Sequence, residues 1–327
     1  MRLIDIIENQ LVSRRDYKLI LKQLLLDRST KKNIIWATTS YESLGDEFAC
    51  NREILPQHLQ GEYATLILPR VEKEAQAQDS RTRERAEVFT PSWVCNAQNN
   101  LVDVQWFGRT GVFNTEKGKA WEPTTGKIVF PEDRSHTWKK YVDCKRLEIT
   151  CGEAPYLVSR YDTVTGEELP IGRRIGLLDR KLRVVNENTE TEQDWEYWAL
   201  RAFQSVYGYE FQGDNLVLAR ENLFLTYIEY YTDRFKHWPD TKLLIQIARV
   251  ISWNLWQMDG LKYVAPYSCT TTVIEEYTLF GIDRSEQPCP GCETGDNRLH
   301  NGVYCRVYDW RKDNSLEFRN LVKGGKL

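Results

Sequence analysis

The sequence has no excess of positive charge: 44 lysines and arginines stand against 47 aspartates and glutamates, and the formal net charge is -3. A protein that holds DNA mainly through the phosphates needs a positive field, so this composition excludes DNA binding of that general kind. Any DNA contact has to be local. The most basic stretch contains Arg81, Arg83 and Arg85, and it fits either a local phosphate contact or a solvated linker.

Long apolar runs are also missing. No run approaches the roughly 20 residues that span a bilayer, and residues 1–5 lack the apolar core of a signal peptide. We therefore expect a cytoplasmic protein without membrane contact. The chain has no internal repeat or low-complexity tract, and hydrophobic residues make up 41% of it, so the 327 residues predict a folded protein.

The eight cysteines are too scattered for the disulfide framework of a small secreted protein. In a reducing compartment the C-terminal ones are better interpreted as metal ligands. Four soft ligands fall within 17 positions, namely Cys289, Cys292, His300 and Cys305. This set includes a Cys-x-x-Cys turn and suits tetrahedral zinc in a closed structural site, similar to a zinc knuckle with a longer middle loop. Cys269 is an alternative to His300, and metal-free reduced thiols are the alternative to the whole site.

Hydrophobic spacing divides the chain into segments. Residues 1–30 predict two short amphipathic helices, and the shorter apolar groups of residues 33–69 predict short strands. Residues 71–87 are almost wholly polar and predict an exposed helix or a linker, so we place a domain boundary there. Residues 88–143 are dense in aromatics and predict an irregular buried segment. From residue 146 to 258 strand and helix patterns alternate, which is typical of a layered α/β sheet.

Three helices can be placed within this alternating segment. Asp194 is the expected cap of a helix that ends at Gly208, and a strand over residues 209–211 follows it. Asp214 is the expected cap of the next helix, and a third helix begins after Pro239.

Two short motifs precede and open this segment. The first is Glu87-Val88-Phe89-Thr90-Pro91. The second runs from residue 146 to 157: an apolar strand with Glu148 near its end, followed by Cys151 and Gly152. Gly152 permits a tight turn close to a ligand, and the Glu148 carboxylate can attract an ammonium group.

Two further motifs follow. Residues 207–215 combine a strand with an acid at its end, Glu210, whose carboxylate can accept hydrogen bonds from both hydroxyls of a ribose. Glu210 lies 58 positions beyond Gly152, which requires an insertion over about residues 161–192; Asp179 is the rival acid at a more usual distance. The last motif, residues 251–261, contains Asp259.

In this order the four motifs resemble those of N6-adenine DNA methyltransferases of the restriction-modification M-subunit type. The resemblance implies an α/β fold with a Rossmann-like S-adenosylmethionine-dependent methyltransferase core at residues 81–265. A helical or mixed region would precede it (residues 1–80), and the zinc-knuckle-like segment would follow it (residues 266–327). The implied cofactor-binding residues are Phe89, Thr90, Pro91, Glu148, Cys151, Gly152, Glu210 and Asp259. Asp259 would bind the adenine amino group. The family's second loop glycine is replaced here by Ala154 and Pro155.

The family's catalytic loop, (Asn, Asp or Ser)-Pro-Pro-(Tyr, Phe or Trp), holds the flipped adenine. No two of the eleven prolines are adjacent. The segment that matches the motif best, Ala265-Pro266-Tyr267, lacks the polar first residue. In related proteins the loop follows a segment like residues 308–310. We therefore expect an S-adenosylmethionine-binding component that makes local DNA contacts and needs a partner chain for methyl transfer. The alternatives are a catalytically inactive DNA-binding, regulatory or anti-restriction protein with this fold and, less favoured, an unrelated zinc-bearing nucleic-acid module.

Overall fold

A computed structural model describes residues 2–9, 11–72, 90–278 and 281–322. The chain begins with helices α1 (Leu3–Glu8) and α2 (Arg14–Leu25). The Ser13 hydroxyl caps α2 by accepting a hydrogen bond from the Asp16 N–H. The buried face of α2 contains Tyr17, Ile20, Leu21, Leu24 and Leu25. This spacing confirms the two short amphipathic helices predicted for residues 1–30.

The short strands predicted for residues 33–69 are wrong. The segment contains two isolated bridges, Leu26 with Asn33 and Ile35 with Glu53, and otherwise turns and short 3-10 helices. Its apolar groups are nevertheless buried, and Trp36 is 0% exposed. An apolar run of three residues packs equally well in irregular backbone, so it does not predict a strand reliably.

Residues 90–143 are less irregular than predicted. Helix α3 (Ser92–Phe107) begins them, a hairpin of β1 (Asn114–Lys117) and β2 (Ala120–Pro123) follows, and α4 (Trp138–Asp143) ends them. The sequence did not indicate α3 because much of its buried face is polar, with Asn96, Asn99 and Asp103. Apolar periodicity is the usual signal of such a helix, and polar residues at core positions hide it.

The centre of the fold is a parallel three-stranded sheet of β3 (Arg146–Glu148), β4 (Val206–Glu210) and β5 (Leu255–Gln257), with β4 in the middle. Helices α5 (Leu177–Asn188) and α6 (Glu192–Gln204) connect β3 to β4, and α7 (Gly213–Phe235) and α8 (Thr241–Asn254) connect β4 to β5. This order confirms the predicted alternation of strands and helices and a mixed α/β fold. Helix α5 lies inside the expected insertion, yet its residues are largely buried in the core.

Several predicted helix ends shift by a few residues. Thr191, and not Asp194, caps α6, and Gln212 precedes α7 in the place expected for Asp214. Gly208 lies in β4 instead of ending a helix; a Cβ there would be 3.2 Å from the Cys151 Sγ atom, so a larger residue would require the Cys151 side chain to shift. The third helix starts after Asp240, whose side chain accepts from the Lys242 N–H.

The C-terminal region contains two hairpins and two short helices: β6 (Thr272–Thr278), β7 (Gly281–Gln287), α9 (Pro290–Thr294), β8 (Arg306–Asp309), β9 (Asn314–Glu317) and α10 (Phe318–Val322). A second hydrophobic core forms between this region and one face of the sheet, around Trp256, Met258 and Phe318. No described helix is long and apolar enough to cross a membrane. The domain boundaries stay predictions, and the one near residue 80 lies outside the described residues.

Candidate functional sites: the carboxyl edge of the sheet and a cysteine cluster

Two predicted cofactor residues meet at the carboxyl edge of the sheet. Because β3, β4 and β5 are parallel, their last residues Glu148, Glu210 and Gln257 lie at the same edge. Glu148 is 8% exposed and Glu210 is 7% exposed, so both carboxyl groups are removed from water. Open α/β sheets bind ligands outside this edge.

The loop after β3 is fastened to β4. The Cys151 N–H donates to the Tyr209 carbonyl (2.8 Å), and the Gly152 N–H donates to Oε2 of Glu210 (2.9 Å). Thr150, Gly152 and Ala154 all have left-handed backbone, with φ of 46°, 52° and 64°. Glycine adopts this conformation without cost, whereas Ala154 is strained at the position where the family resemblance implies a glycine.

The Glu210 carboxylate is well satisfied. Besides Gly152, the N–H groups of Phe211 (2.9 Å) and Gln212 (3.1 Å) donate to its Oε1 atom. Burial raises the pKa of Glu210, and these three N–H donors oppose the rise. An ionised carboxylate offers about four acceptor positions, so one remains for a ligand.

The Glu148 carboxyl group has fewer partners. Its Oε1 atom accepts from the Tyr156 N–H at 3.4 Å, and its buried Oε2 atom has no hydrogen-bond partner among the described residues. Burial raises the pKa of Glu148 well above 4.5, although the N–H groups of Tyr156 and Leu157 oppose the rise, and the charge of Glu210 adds a smaller increase. An ionised carboxylate is costly at such a buried position, and a cationic group beside Oε2 would favour the ionised form.

The first motif lies beside Glu148. Phe89 falls outside the described residues. The Thr90 carbonyl accepts from Cys95 Sγ (3.5 Å) and Thr163 Oγ1 (3.1 Å), and Pro91 immediately precedes α3. The Asn99 side chain of α3 donates to the Tyr156 carbonyl (3.0 Å), and the Tyr156 N–H donates to Glu148, so α3 lies close to the carboxyl edge. The first motif is therefore connected to Glu148 through α3 and Tyr156, and no hydrogen bond among the described residues joins Thr90 or Pro91 directly to Gly152 or Glu210.

Asp259 and Asp179 have local roles in the backbone. Asp259 follows β5, and its Oδ1 atom accepts from the N–H groups of Leu261 (3.0 Å) and Lys262 (3.2 Å), which closes a turn. Asp179 lies on α5, where Oδ2 accepts from the Ser159 N–H (2.8 Å) and the Gly176 N–H (3.2 Å). Of the two rival acids, only Glu210 therefore ends a strand.

A cavity of about 650 Å³ lies beside the loop, between α7 and residues 160–174. Glu229 spans its wall: one oxygen accepts from Arg160 and the other from Arg174, each at 2.6 Å. Tyr161 also lines the cavity. Its hydroxyl group donates to Oε2 of Glu153 at 2.6 Å, which connects the cavity wall to the loop of Gly152. The volume of the cavity is within the range of small-molecule sites.

The second site is a cluster of three cysteines and one histidine: Cys269, Cys289, Cys292 and His300. Their ligand atoms all lie within 4.8 Å of one another. Nδ1 of His300 is 3.6 Å from Sγ of Cys269 and of Cys289, and 3.7 Å from Sγ of Cys292. Bonds of about 2.3 Å to sulfur and 2.0–2.1 Å to nitrogen around a tetrahedral ion put these atoms about 3.5 Å apart. The cluster can therefore hold a metal such as zinc.

Glycine in the Cys-Pro-Gly-Cys turn permits this geometry. A Cβ on Gly291 would lie 2.5 Å from the backbone nitrogen of His300 and 2.6 Å from its Nδ1, so any larger residue would push the histidine away. The Asn301 N–H donates to Cys289 Sγ at 3.3 Å. Such donors stabilise a thiolate, which is the form of cysteine that binds metal.

Cys305 is not part of the cluster, and its prediction as a ligand is wrong. It is fully buried in the second hydrophobic core, where its Sγ donates to the Gln257 carbonyl at 3.3 Å. Cys269 takes the fourth position. Cys269 lies just before β6 and Cys289 lies just after β7, so the β6–β7 hairpin brings the two cysteines together. A hairpin recognised in residues 272–287 would have indicated this pair.

Comparison with known proteins gives no neighbour: no family model, no curated protein and no solved structure matches the chain.

Proposed function

We propose that the chain binds S-adenosylmethionine at the carboxyl edge of its sheet, as one component of an adenine-specific DNA methyltransferase of a restriction-modification type system. One observation carries this proposal. Two buried carboxyl groups, Glu148 and Glu210, end neighbouring parallel strands on either side of the Gly152 loop. A nucleoside carrying an ammonium group matches such a pair, since one acid can take the ammonium and the other the ribose.

The contacts suggest how the cofactor would bind. The ammonium would approach the Oε2 atom of Glu148, which is buried without a partner among the described residues. The ribose would use the free acceptor position of Glu210 or displace the Gly152 N–H from it. Asp259 would receive the adenine amino group, and residues 89–91 would cover the cofactor, as the family resemblance implies.

The same proposal assigns zinc to the cluster of Cys269, Cys289, Cys292 and His300. Four protein ligands leave no open position on a tetrahedral ion, so the zinc has a structural role and does not activate water. It would fix the base of the β6–β7 hairpin.

Methyl transfer to adenine needs a polar residue and an aromatic residue around the flipped base. The sequence contains no Pro-Pro dipeptide to build the family's loop. We therefore assign transfer to a complex in which a second polypeptide supplies that loop and most of the DNA contacts.

A second candidate is a catalytically inactive protein of the same fold that binds DNA or regulates another enzyme. Two features of the loop after β3 favour this second candidate: Glu210 already accepts hydrogen bonds from three N–H groups, and the backbone of Ala154 is strained. In this case the loop closes the cofactor edge instead of opening it to a ligand.

Titration calorimetry with S-adenosylmethionine separates these candidates. We expect binding to the wild type and at least about tenfold weaker binding to Glu148→Gln and Glu210→Gln, since each loses a charge-assisted contact. Glu122→Gln, an exposed change on β2, is the matched control and should bind normally. Absence of binding up to about 1 mM by folded wild type would overturn the cofactor proposal. Binding without transfer of labelled methyl to DNA, even with a polypeptide carrying the missing loop, favours the second candidate.

A further inference from the structure

We propose that a second, smaller cavity of this fold binds a free α-amino acid with an apolar side chain. The cavity measures about 310 Å³ and lies between α5, the β1–β2 hairpin and residues 171–174. This volume is at the lower end of the range of small-molecule sites. None of the lining residues belongs to the carboxyl edge or to the cysteine cluster, so the site goes beyond the proposed function.

Arg174 brings an unfilled donor to the wall of this cavity. Its side chain is 7% exposed; its Nε atom donates to the Leu169 carbonyl (3.1 Å) and its Nη2 atom to Glu229 (2.6 Å). The guanidinium is planar with its donors in fixed directions, so the Nη1 atom points away from these two acceptors. Nη1 is buried without a hydrogen-bond partner among the described residues. A buried charged donor without an acceptor is costly, and an anionic group would satisfy it.

Asp179 brings an unfilled acceptor of the opposite charge to the same cavity. Its Oδ2 atom bonds the backbone, whereas its Oδ1 atom is buried and has no hydrogen-bond partner in the part of the chain that the structure describes. Tyr230 contacts both residues: its ring centroid is 5.8 Å from the Arg174 guanidinium carbon, and its hydroxyl donates to the Asp179 carbonyl at 3.4 Å. Because neither Nη1 nor Oδ1 has a partner, the two side chains do not bond each other directly. A group between them has to accept from Arg174 and donate to Asp179.

An α-amino acid carries both of the required groups on one carbon atom. Its carboxylate would accept from the Nη1 atom of Arg174, and its ammonium group would donate to the Oδ1 atom of Asp179. Each contact joins opposite charges away from water, where charge-assisted hydrogen bonds are strong. Burial raises the pKa of Asp179, and an ammonium group beside it would favour the ionised form.

The other arginines of the cavity leave Arg174 as the partner of the carboxylate. Two of them are already paired with carboxylates, Arg180 with Asp103 and Arg183 with Glu187. Arg173 is exposed to solvent at the rim. Among the described arginines that line the cavity, Arg174 alone has a buried nitrogen without a partner.

The remaining walls fit an apolar side chain. Phe113, Trp121 and Tyr230 are buried and contribute aromatic rings to the lining. Ligand sites combine such walls with a small number of polar groups that fix the orientation of the ligand. A single water between the two charged groups would occupy roughly 30 Å³, about a tenth of the cavity. The space beside the charged groups is therefore sufficient for a side chain such as that of leucine or phenylalanine.

Titration calorimetry of the full chain with L-leucine and L-phenylalanine tests the proposal. We expect at least one of them to bind with a Kd below about 1 mM. The N-acetyl derivative lacks the ammonium group and the amide derivative lacks the carboxylate, so each should bind at least about tenfold more weakly than the parent amino acid. No binding of either amino acid up to about 10 mM would overturn the proposal. Equal binding of the parent and its derivatives would overturn it too, since only a site that ignores the charges gives that result.

Asp179→Asn makes the matching change in the protein, because it keeps the size of the side chain and removes its charge. Binding of the parent amino acid should weaken at least about tenfold, whereas the N-acetyl derivative, which has no ammonium group, should bind as it does to the wild type. A purely structural role of Asp179 would not separate the two ligands. Unchanged binding of the parent by folded Asp179→Asn contradicts the proposal, and if circular dichroism shows this variant unfolded, the ligand series on the wild type decides.

Two further variants serve as controls. Asp194→Asn is the same substitution at an exposed position on α6 outside the cavity, and it should bind the amino acid normally. Glu148→Gln should also bind the amino acid normally, and Asp179→Asn should keep the affinity of the wild type for S-adenosylmethionine. The two sites therefore fail independently, and loss of one ligand does not imply loss of the other.

Discussion

The carboxyl edge of the sheet and the cysteine cluster are both polar sites, yet their polar atoms have different partners. At the edge, Glu210 bonds three backbone N–H groups of the chain itself. In the cluster, the main partners of the four side chains are one another: three thiols surround one imidazole nitrogen at 3.6–3.7 Å.

This difference explains why the two sites support functional conclusions to different extents. Thiolate and imidazole ligands in tetrahedral spacing have one common use, so the geometry of the cluster points to a metal such as zinc. Carboxylates at strand ends also fasten loops, as Glu210 does here, and their geometry alone allows both a structural and a cofactor-binding role. The Oε2 atom of Glu148, which has no hydrogen-bond partner in the part of the chain that the structure describes, is the feature that a structural role does not explain.

Removing the metal should have the largest effect. Wild-type protein should contain about one zinc per chain, and Cys269→Ser and Cys289→Ser should lose most of it together with the cooperative folding of the C-terminal region, because metal binding contributes to folding. Elemental analysis and thermal denaturation with and without a chelator measure both changes.

Cys305→Ser is the matched control for these variants. It should keep its zinc, since Cys305 bonds the Gln257 carbonyl in the second core and lies outside the cluster. Zinc loss in Cys305→Ser, with zinc retained in Cys269→Ser, would restore the ligand set predicted from the sequence.

The two carboxyl groups of the edge should respond differently to the same substitution. Glu210→Gln removes charge-assisted bonds to backbone N–H groups and should lower the free energy of unfolding by about 1 to 3 kcal/mol. Glu148→Gln replaces a carboxyl group that is costly to ionise in its buried position by a neutral amide, so at pH 7 we expect no loss of stability. Urea denaturation measures both values. Equal losses would show that Glu148 is as firmly held as Glu210 and would remove the contrast between them.

The pH dependence of stability should show a smaller effect of the same origin. Burial raises the pKa of Glu148 well above 4.5, so the folded protein holds a proton that the unfolded chain releases. The stability from Glu148 is complete below about pH 4.5 and is lost as the pH rises through the folded pKa. Relative to Glu148→Gln, the wild type should lose on the order of 1 kcal/mol per pH unit in this window. Parallel pH profiles of the two proteins in urea denaturation would contradict a raised pKa.

Much of the fold follows from patterns in the sequence. The helices of residues 1–30 and the alternation of strands and helices after residue 146 were predictable because hydrophobic spacing there is regular. The predictions were wrong where that signal is weak or carried by polar residues. Helix α3 buries Asn96, Asn99 and Asp103, and Asp103 with Asn96 binds the guanidinium of Arg180 from α5. Such a buried polar face is not visible to a pattern of apolar residues.

The sequence by itself determined which chemical groups this protein has for a site: soft metal ligands near its C-terminal end, and acids beside a glycine turn. These are properties of residue type and short spacing, and they need no knowledge of the fold. Only the tertiary structure decided that Cys269 and not Cys305 joins the cluster, and that Glu210 and not Asp179 ends a strand. Each of these depends on contacts between residues many positions apart, which packing of the whole chain creates and local spacing does not encode.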